Sequence, residues 1–572
     1  MPEMHQFARR SLFRPGVVVT FFLSALAYHP VALADDDEGG FQPGNLIVSR
    51  VVYDNNVNTV VAGKTLLPPN CVGSACVTAT ASGAYPNVWN NAGVDATFGI
   101  TSKIVLDQLT RSGEFINSLE VPNSSQRQIS SRSDQMVGSF TSKSEVALNL
   151  STDKRFVTFM GYLAPIDALD VSNSNTPAVV DPTNPVPGQA YRVVAQVDAH
   201  GKFHFTKTNA YSGDNGRAAI LNGEKGVIYT AGNAGNGANP QPNGIIVAAG
   251  AQFLKAENEP LSAQPDPGLP TPVGSFNVTQ LGLKADKVGK DTNFRGLTAF
   301  NNVVYYTKGS GSNGINTVYF VDTSGFDSNK KPLACPNGVG LPNPSATLPA
   351  APIVYDASQL QTKGVYPYNM CVLKGFPTAT KSTTSFPFGI WFANATTIYI
   401  ADEGNGTNTY DPATKTYTAA AQQTTAGLQK WVYDVSLGAW KQAYVLSAGL
   451  GLGTPYTVSG YPTGNNPATS LPWSPATDGL RNLTGRVNRD GTVAIWAVTS
   501  TVSGNGDQGA DPNRLVMISD QLAATSLPAG EHFTTIRTAR FAEVLRGVSF
   551  TPESGLGHDG GNDDNQGQQG QN

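Results

Sequence analysis

The segment Phe386-Pro387-Phe388-Gly389-Ile390, followed after a short turn by Thr397-Ile398-Tyr399-Ile400-Ala401-Asp402, carries the strongest fold signal in this 572-residue chain. Aromatic and β-branched residues dominate both halves, and the residues between them favour a turn. The pattern predicts two neighbouring antiparallel strands. No stretch of ten or more residues in the chain shows a clear helical stripe, so the sequence favours an all-β fold.

Similar groups of strands recur along the chain, with starts near residues 144, 216, 295, 388 and 484. Each repeat has an apolar strand, a short turn, a second strand, a Gly/Asn-rich loop and a third strand. The starts are about 70 to 95 residues apart, longer than the roughly 40–50 residues of a propeller blade. Each repeat is therefore expected to be a blade that carries long loop insertions.

The two ends of the chain supply the parts of one further blade. Residues 544–550 read as an innermost strand with no blade after it, whereas 44–54, 102–110 and 113–122 read as strands without an innermost partner. Pairing them would close the ring and protect the sheet edges. The prediction is an all-β propeller of six blades, or seven if an insertion hides one, closed by its N- and C-terminal strands.

Composition narrows the function classes. Charged residues are 14% of the chain, against roughly 25% in an average soluble domain, and the hydrophobic share of 40% is ample for a large core. The net charge of −4 comes with no basic run after the N-terminus. Nucleic acid and anionic membrane surfaces are therefore not expected as partners.

The N-terminus has the features of an export signal, since basic residues precede an apolar stretch at 17–33 that ends in Ala32-Leu33-Ala34. His29 and Pro30 within that stretch argue against a retained membrane anchor. The basic residues are Arg9, Arg10 and Arg14.

Four segments follow from these features. They are a removed signal peptide at 1–34, a polar segment at 35–44, one propeller domain at 45–552 and a disordered polar tail at 553–572. The arginine pair partly resembles a twin-arginine signal, with Ala8 where Ser or Thr is usual. We expect export to the periplasm or the extracellular space, by the general secretory (Sec) route or by the twin-arginine route.

The four cysteines agree with export, because an even number in an exported chain predicts disulfides. The expected pairs are Cys71 with Cys76 and Cys335 with Cys371. A zinc site is the alternative, but the second pair is 36 residues apart and histidines are few.

The segment 386–402 resembles the repeats of NHL-type and gluconolactonase-like propellers, and residues 45–552 as a whole resemble a secreted bacterial six-bladed propeller. Gluconolactonase-like enzymes hold a divalent metal near the propeller axis with acidic and Asn ligands. In this chain, Asp402 falls at the end of a second strand, where that family often has an acid. The resemblance implies Ca²⁺ or another divalent cation as a cofactor.

A recurrent arginine marks the positions where the chain enters the innermost strands, beside the glycine that lets these strands crowd the axis. If the guanidiniums point inward, they form a cationic ring suited to a carboxylate or a phosphate. The alternative is that each arginine braces a neighbouring blade by pairing with an acid such as Asp214 or Glu543. The predicted ligand-binding residues are Arg217, Arg295, Arg486 and Arg546, with Trp391 as an aromatic contact.

Loops between second and third strands are rich in Gly, Asn and Asp, at 232–240, 309–314, 404–408 and 504–513. Tight turns explain most of this composition. The functional interpretation is a Ca²⁺ shell of oxygen ligands. Its candidate ligands are Asp402, Glu403, Asp507 and Asp511.

Three functions follow from these candidates. The leading prediction is an exported, soluble propeller that binds a small or extended ligand, with an anionic ligand as one option, on its Arg/Gly/Asn-rich face. The second is a metal-dependent extracellular hydrolase of lactonase or phosphoesterase type at the same face. The third is a non-catalytic scaffold for protein interactions. No catalytic residue is assigned, since no G-x-S-x-G motif occurs.

Overall fold

The residues that the computed structural model describes are almost entirely strands, turns and loops. They are 40–68, 71, 76–95, 98–122, 136–177, 188–233, 250–256, 273–276, 293–309, 315–325, 327–329, 333–350, 370–379 and 384–554. The predicted signal peptide at 1–34 and all but the first two residues of the predicted tail at 553–572 lie outside them.

The strands are numbered in chain order. The first fourteen are β1 (Leu46–Val52), β2 (Leu66–Leu67), β3 (Val77–Thr78), β4 (Thr101–Leu109), β5 (Phe115–Glu120), β6 (Met136–Ser139), β7 (Asn149–Leu150), β8 (Val157–Leu163), β9 (Tyr191–Val197), β10 (Phe203–Thr208), β11 (Gly216–Asn222), β12 (Val227–Gly232), β13 (Ala251–Lys255) and β14 (Val273–Phe276). The others are β15 (Leu297–Phe300), β16 (Val303–Lys308), β17 (Thr317–Val321), β18 (Val339–Gly340), β19 (Met370–Leu373), β20 (Pro387–Asn394), β21 (Thr397–Asp402), β22 (Tyr410–Asp411), β23 (Thr416–Tyr417), β24 (Gly427–Asp434), β25 (Ala439–Leu446), β26 (Ala476–Val487), β27 (Thr492–Val502), β28 (Arg514–Gln521), β29 (Thr534–Thr538) and β30 (Glu543–Phe550).

Short helices interrupt the strands. They are the 3₁₀ helices Asn87–Gly93, Val171–Asn173 and Gln508–Ala510 and the single α-helical turn Thr418–Ala421. None of the helices in the described part of the chain has the length and apolar content needed to cross a bilayer.

Four sheets form a propeller-like arrangement of blades, which confirms the all-β prediction. Three have four antiparallel strands in the orders β11-β12-β13-β14, β20-β21-β24-β25 and β26-β27-β28-β29, and the fourth has the order β15-β16-β17-β19-β18. Each sheet begins at its innermost strand, and a short turn joins that strand to the second strand of the sheet. The predicted repeats at 216, 295, 388 and 484 correspond to these four blades.

A fifth, nine-stranded sheet joins the two ends of the chain. Its main path is β10-β9-β8-β6-β4-β1-β30, with β5 on β4 and β7 on β8. The C-terminal β30 pairs antiparallel with β1, from Leu46 opposite Phe550 to Val52 opposite Glu543. The predicted pairing of the C-terminal strand with the N-terminal strands is therefore present.

The first strands of the sheets approach one another closely. Contacts run from β7 to β11, then to β15, β20, β26 and β30, and from β30 back to β7. Glycine permits this approach: a Cβ at Gly296 would lie 2.4 Å from the carbonyl oxygen of Phe388, and one at Gly389 would lie 2.5 Å from that of Arg481. The side chains that precede or begin these strands are thus brought to one region.

The hydrophobic core lies between neighbouring sheets. One aromatic cluster packs the N-terminal insertion, residues 80–90, against these sheets. Trp89 packs on Phe140 with ring centroids 4.8 Å apart, and Tyr85 packs edge-on against Phe541 at 4.8 Å. Trp89 and Tyr85 flank the start of the helix Asn87–Gly93, so this burial fixes the helix beside the blades.

Both predicted disulfides are confirmed. Cys71 pairs with Cys76 across Cα atoms 5.5 Å apart, next to the β2–β3 hairpin, and Cys335 pairs with Cys371 across 6.0 Å. Two disulfides are typical of chains that fold in an oxidising compartment.

Candidate functional site

Four arginines from four strand entrances lie together at one end of the innermost strands. Three of them were predicted, namely Arg217 in β11, Arg295 just before β15 and Arg546 in β30. The fourth is Arg481 in β26. Electrostatic repulsion couples Arg217 to Arg295 and Arg546 to Arg481. We call these four side chains the arginine quartet.

A single carboxylate lies inside the quartet. Oε1 of Glu403 is 3.3 Å from Nε of Arg295, and Oε2 is 3.4 Å from Nε of Arg481. Burial would raise the pKa of Glu403, but the guanidiniums of Arg295 and Arg481 outweigh it and hold that pKa below its usual value. Glu403 is therefore an internal counterion of the quartet.

Arg217 and Arg546 have no such counterion. Nη1 of Arg217 donates to the carbonyl of Phe294 at 2.8 Å and to Oδ1 of Asn293, and Nη2 of Arg546 donates to the carbonyls of Phe140 and Gly509. Within the described part of the chain, neither guanidinium forms an ion pair with a carboxylate.

These two guanidiniums also keep unused donors. They are only 4% and 2% exposed, yet Nε of both and Nη1 of Arg546 have no hydrogen-bond partner in the structure. Burial and, in second place, the neighbouring arginine lower the pKa of each to about 9. Nearby acids act in the opposite direction, namely Asp214 and Glu403 on Arg217, and Glu145 and Asp507 on Arg546. Buried cations with unused donors cost folding free energy, so the end of the axis favours an incoming anion.

Two residues that precede β7, Lys143 and Ser144, lie at the rim of the quartet, the side where Arg295 is. Ser144 accepts a hydrogen bond from Nη1 of Arg295 at 2.5 Å. Lys143 is half-buried and its ammonium acts electrostatically on Glu403, Asp478 and Asp507. Lys143 therefore adds a fifth positive charge that has more access to solvent than Arg217 or Arg546.

Two predicted ligand contacts lie elsewhere. Arg486 is opposite Ala494 near the hairpin that joins β26 to β27, at the far end of the strand that carries Arg481. Trp391 packs between blades, because a Cβ at Gly485 would lie 2.7 Å from its indole ring. The structure places these two residues away from the quartet, whereas Arg481, on the same strand as Arg486, lies at a bulge between Leu480 and Leu483.

Asp402, the first predicted metal ligand, accepts four hydrogen bonds from neighbouring protein groups. Asp402 accepts hydrogen bonds from the backbone N–H groups of Phe386 and Gly404, the hydroxyl of Ser385 and the amide of Gln429, at 2.8–3.0 Å. Its carboxylate holds the loop at the end of β21, directly before Glu403.

The other predicted metal ligands also have separate partners. Glu403 faces arginines, Asp507 accepts from the N–H of Gly509 at 2.8 Å, and Asp511 accepts from the hydroxyl of Tyr461 at 3.0 Å. In the described residues, no three His, Cys, Asp or Glu side chains are grouped so that they could hold a metal ion. The structure does not bring the four predicted ligands together.

Asp511 provides a pH-dependent test of this packing. Burial raises its pKa to about 7, and its Oδ2 has no partner. A raised folded-state pKa stabilises the protein below the unfolded-state value of about 4, and this stability is lost as the pH rises to 7. Asp511→Asn imitates the protonated side chain.

We expect Asp511→Asn to match the wild type below pH 4 and to be more stable by about 1.4 kcal/mol at pH 5 and by up to about 4 kcal/mol at pH 8. Urea denaturation at pH 5 and pH 8 measures the difference. Equal stability differences at both pH values would contradict the assigned protonation. The exposed Asp490→Asn is the control.

Sequence reasoning missed Arg481, Lys143 and the buried Glu145, which accepts from the N–H of Ser139 at 3.0 Å. A signal for Arg481 existed, since the motif 479–481 repeats the Gly and Arg found at 485–486. Of the predicted loops, 404–408 and 504–513 belong to the described residues, whereas 234–240 and 310–314 lie outside them.

Comparisons with known proteins give a fold likeness alone. No protein-family profile matches the sequence, and no curated protein matches it. Among solved structures, cobalt-substituted Synechocystis ACO, an apocarotenoid oxygenase, is 8% identical over 80% of this chain and 71% of that chain, with a TM-score of 0.28. The GH74 enzyme of Niastella koreensis is 9% identical over 79% of this chain and 56% of that chain, with a TM-score of 0.25.

Proposed function

We propose that this chain is an exported six-bladed β-propeller that binds an anionic ligand at its arginine quartet. The observation that carries the proposal is the pair of buried guanidiniums, Arg217 and Arg546, whose Nε atoms, and Nη1 of Arg546, have no hydrogen-bond partner. A carboxylate or phosphate group supplies both the charge and the acceptors that these donors lack.

The strand contacts support the count of six blades. Four sheets are separate blades, and the nine-stranded sheet divides at the short β6 into β7-β8-β9-β10 and β30-β1-β4-β5. The unbroken series of contacts among β7, β11, β15, β20, β26 and β30 is what a closed ring of six innermost strands requires. The composite blade made by both chain ends would then close the ring.

The electrostatics of the site support a ligand rather than bracing alone. Arg295 and Arg481 share one carboxylate, Glu403, while Arg217 and Arg546 use only neutral acceptors. Bracing by ion pairs would give each guanidinium its own acid. An anion that reaches the rim at Lys143 and Arg295 has the guanidiniums of Arg217 and Arg546 behind it, and these keep unused donors.

Export is supported by the two disulfides and by the basic, apolar and Ala-x-Ala pattern of residues 1–34. The hydrolase interpretation needs carboxylates that converge on a metal. Asp402 and Asp511, the two most buried candidates, instead hold loops and a tyrosine hydroxyl.

Arginine removal tests the proposal. Citrate and inorganic phosphate are titrated calorimetrically into the wild type, Arg295→Ala and Arg486→Ala at low salt. We expect Arg295→Ala to lose affinity by about tenfold or more, since a charge-assisted hydrogen bond is lost. Arg486→Ala, at the far end of the innermost strand β26, is expected to bind like the wild type.

Circular dichroism and thermal melting of each variant show that it is folded before binding is compared. The proposal is contradicted if neither anion binds the wild type, or if Arg486→Ala and Arg295→Ala lose affinity equally. Binding should also weaken with added salt, because the attraction is electrostatic.

A further inference from the structure

We infer that the ligand is an acidic oligosaccharide, with an anionic group on the arginine quartet and its adjoining sugar rings in a groove beside the loop 504–511. This inference rests on the proposed function and extends it to a ligand class. The groove lies between the N-terminal insertion, at 80–90, and the segment 466–468.

The groove offers hydrogen-bonding groups without charge. Its volume is about 290 Å³, near the lower end of the roughly 300–1,000 Å³ of small-molecule sites. It is lined by Thr80, Ala81, Ser82, Asn87, Asn90, Asn466, Pro467 and Ala468. The hydroxyl of Ser82 and the amide of Asn87 can both donate and accept, which matches the hydroxyl groups of a sugar ring.

The same lining disfavours other anionic ligands. None of the eight lining residues is aromatic, so the groove lacks a surface on which a nucleotide base could stack. None is a lysine or an arginine, so a second phosphate would find no counterion there. A neutral, polyhydroxylated extension of the anionic group fits the lining best.

Hydrogen bonds hold the groove open and in place. Asn91 accepts from the backbone N–H groups of Thr80 and Ala81 at 2.8 and 3.0 Å, which fixes one wall. Across the groove, Nδ2 of Asn466 donates to Oδ1 of Asn90 at 2.8 Å and ties the second wall to the first. A site fixed before binding loses less entropy when it takes a flexible ligand.

The loop 504–511 connects the groove to the quartet. The carbonyl of Gly504 accepts from Nδ2 of Asn466 at 2.7 Å, and the carbonyl of Gly509 accepts from Arg546 at 3.2 Å. Five residues separate these carbonyls, so they are at most about 18 Å apart along an extended chain. A disaccharide or trisaccharide can bridge that separation.

Gly506 brings this loop against the groove wall. A Cβ there would lie 2.5 Å from the carbonyl oxygen of Trp89 and 2.7 Å from Cα of Asn90. On the other side of the loop, a Cβ at Gly509 would lie 3.0 Å from Cγ of Lys143. One ordered loop thus contacts both a wall of the groove and the cationic rim.

Binding of trigalacturonate, galacturonate and carboxyl-reduced trigalacturonate to the full exported chain tests the inference by calorimetry. The variants are Ala468→Trp, which fills the groove, and Ala523→Trp, an equally exposed site beyond β28 at the other end of its blade. We expect the wild type and Ala523→Trp to bind the trimer at least about tenfold more tightly than the monomer. Ala468→Trp should lose this gain and keep its affinity for the monomer.

Other results would overturn the inference, and they separate its failure from a failure of the proposed function. If the monomer binds but the trimer gains nothing, or if Ala468→Trp keeps the gain, the groove is not a sugar site and the anion site stands. If the trimer and its carboxyl-reduced form bind equally, the anionic anchor fails. If no saccharide binds while citrate does, the ligand class is wrong and the proposed function stands.

Discussion

Lys430→Met is expected to lower the free energy of unfolding by about 3–5 kcal/mol, the largest effect among the single substitutions considered. Lys430 in β24 and Asp520 in β28 belong to adjacent blades, and both side chains are 0% exposed. Nζ of Lys430 is 3.0 Å from Oδ2 of Asp520. Removing the cation leaves a buried carboxylate that has lost its ion pair.

The surroundings of this pair make relaxation costly. Tyr444 donates to Oδ1 of Asp520 at 2.7 Å, and Tyr399 donates to Oδ2. Burial would raise the pKa of Asp520, but hydrogen bonds from Glu531, the tyrosines and Lys430 outweigh it and keep that pKa below its usual value. Burial and Asp520 together raise the pKa of Glu531 to about 7. The surroundings of Asp520 therefore favour an ionised carboxylate beside Lys430.

Guanidinium denaturation of three variants measures the effect. Lys441→Met on β25 changes an exposed lysine and is expected to alter stability by less than about 0.5 kcal/mol. The double variant Lys430→Met/Asp520→Leu removes both charges and should be more stable than Lys430→Met alone, since no charge stays buried without a partner. A double variant less stable than Lys430→Met would contradict the role of Asp520.

Glu403→Gln is expected to increase affinity for citrate by about tenfold or more while it lowers stability by about 3 kcal/mol. Glu403 is the carboxylate that Arg295 and Arg481 share. It competes with an external anion for both guanidiniums. Neutralising it frees them for the ligand, and it also leaves the empty site with a larger unbalanced positive charge.

The opposite signs of the two effects separate ligand binding from bracing. If the quartet only braced the blades, Glu403→Gln would lower stability without a gain in affinity. Calorimetric titration with citrate and urea denaturation of the same preparation give both quantities. The control is Glu120→Gln, because Glu120 forms a more exposed pair with Lys103 at 3.3 Å, and such pairs contribute at most about 1 kcal/mol.

Strand patterns could be predicted because they depend on local alternation. The pairing of β20 with β21 follows from the apolar residues of 387–402, and the pairing of β30 with β1 follows from two chain ends that each lacked a partner. The cysteine pairs followed from an even count in two close neighbourhoods. Such features need no knowledge of distant contacts.

The position of a side chain along an innermost strand could not be predicted in the same way. Arg481 and Arg486 stand on one strand beside similar glycines, and a bulge between Leu480 and Leu483 decides which of them reaches the quartet. A bulge adds a residue without changing the apolar pattern that marks the strand. The apolar pattern of the strand therefore does not distinguish Arg481 from Arg486.

An all-β chain of repeated strands, two disulfides and a pairing between the chain ends could be predicted from the sequence, because period-two alternation and cysteine spacing are local properties. The roles of the charged side chains emerged from the folded structure. Asp402 and Asp511 were equal candidates with Glu403 in the sequence, yet burial and neighbours gave the first two to loop and tyrosine hydrogen bonds and the third to arginines. The role of a charged side chain depends on the groups that surround it in space, and here these come from strands far apart in the chain.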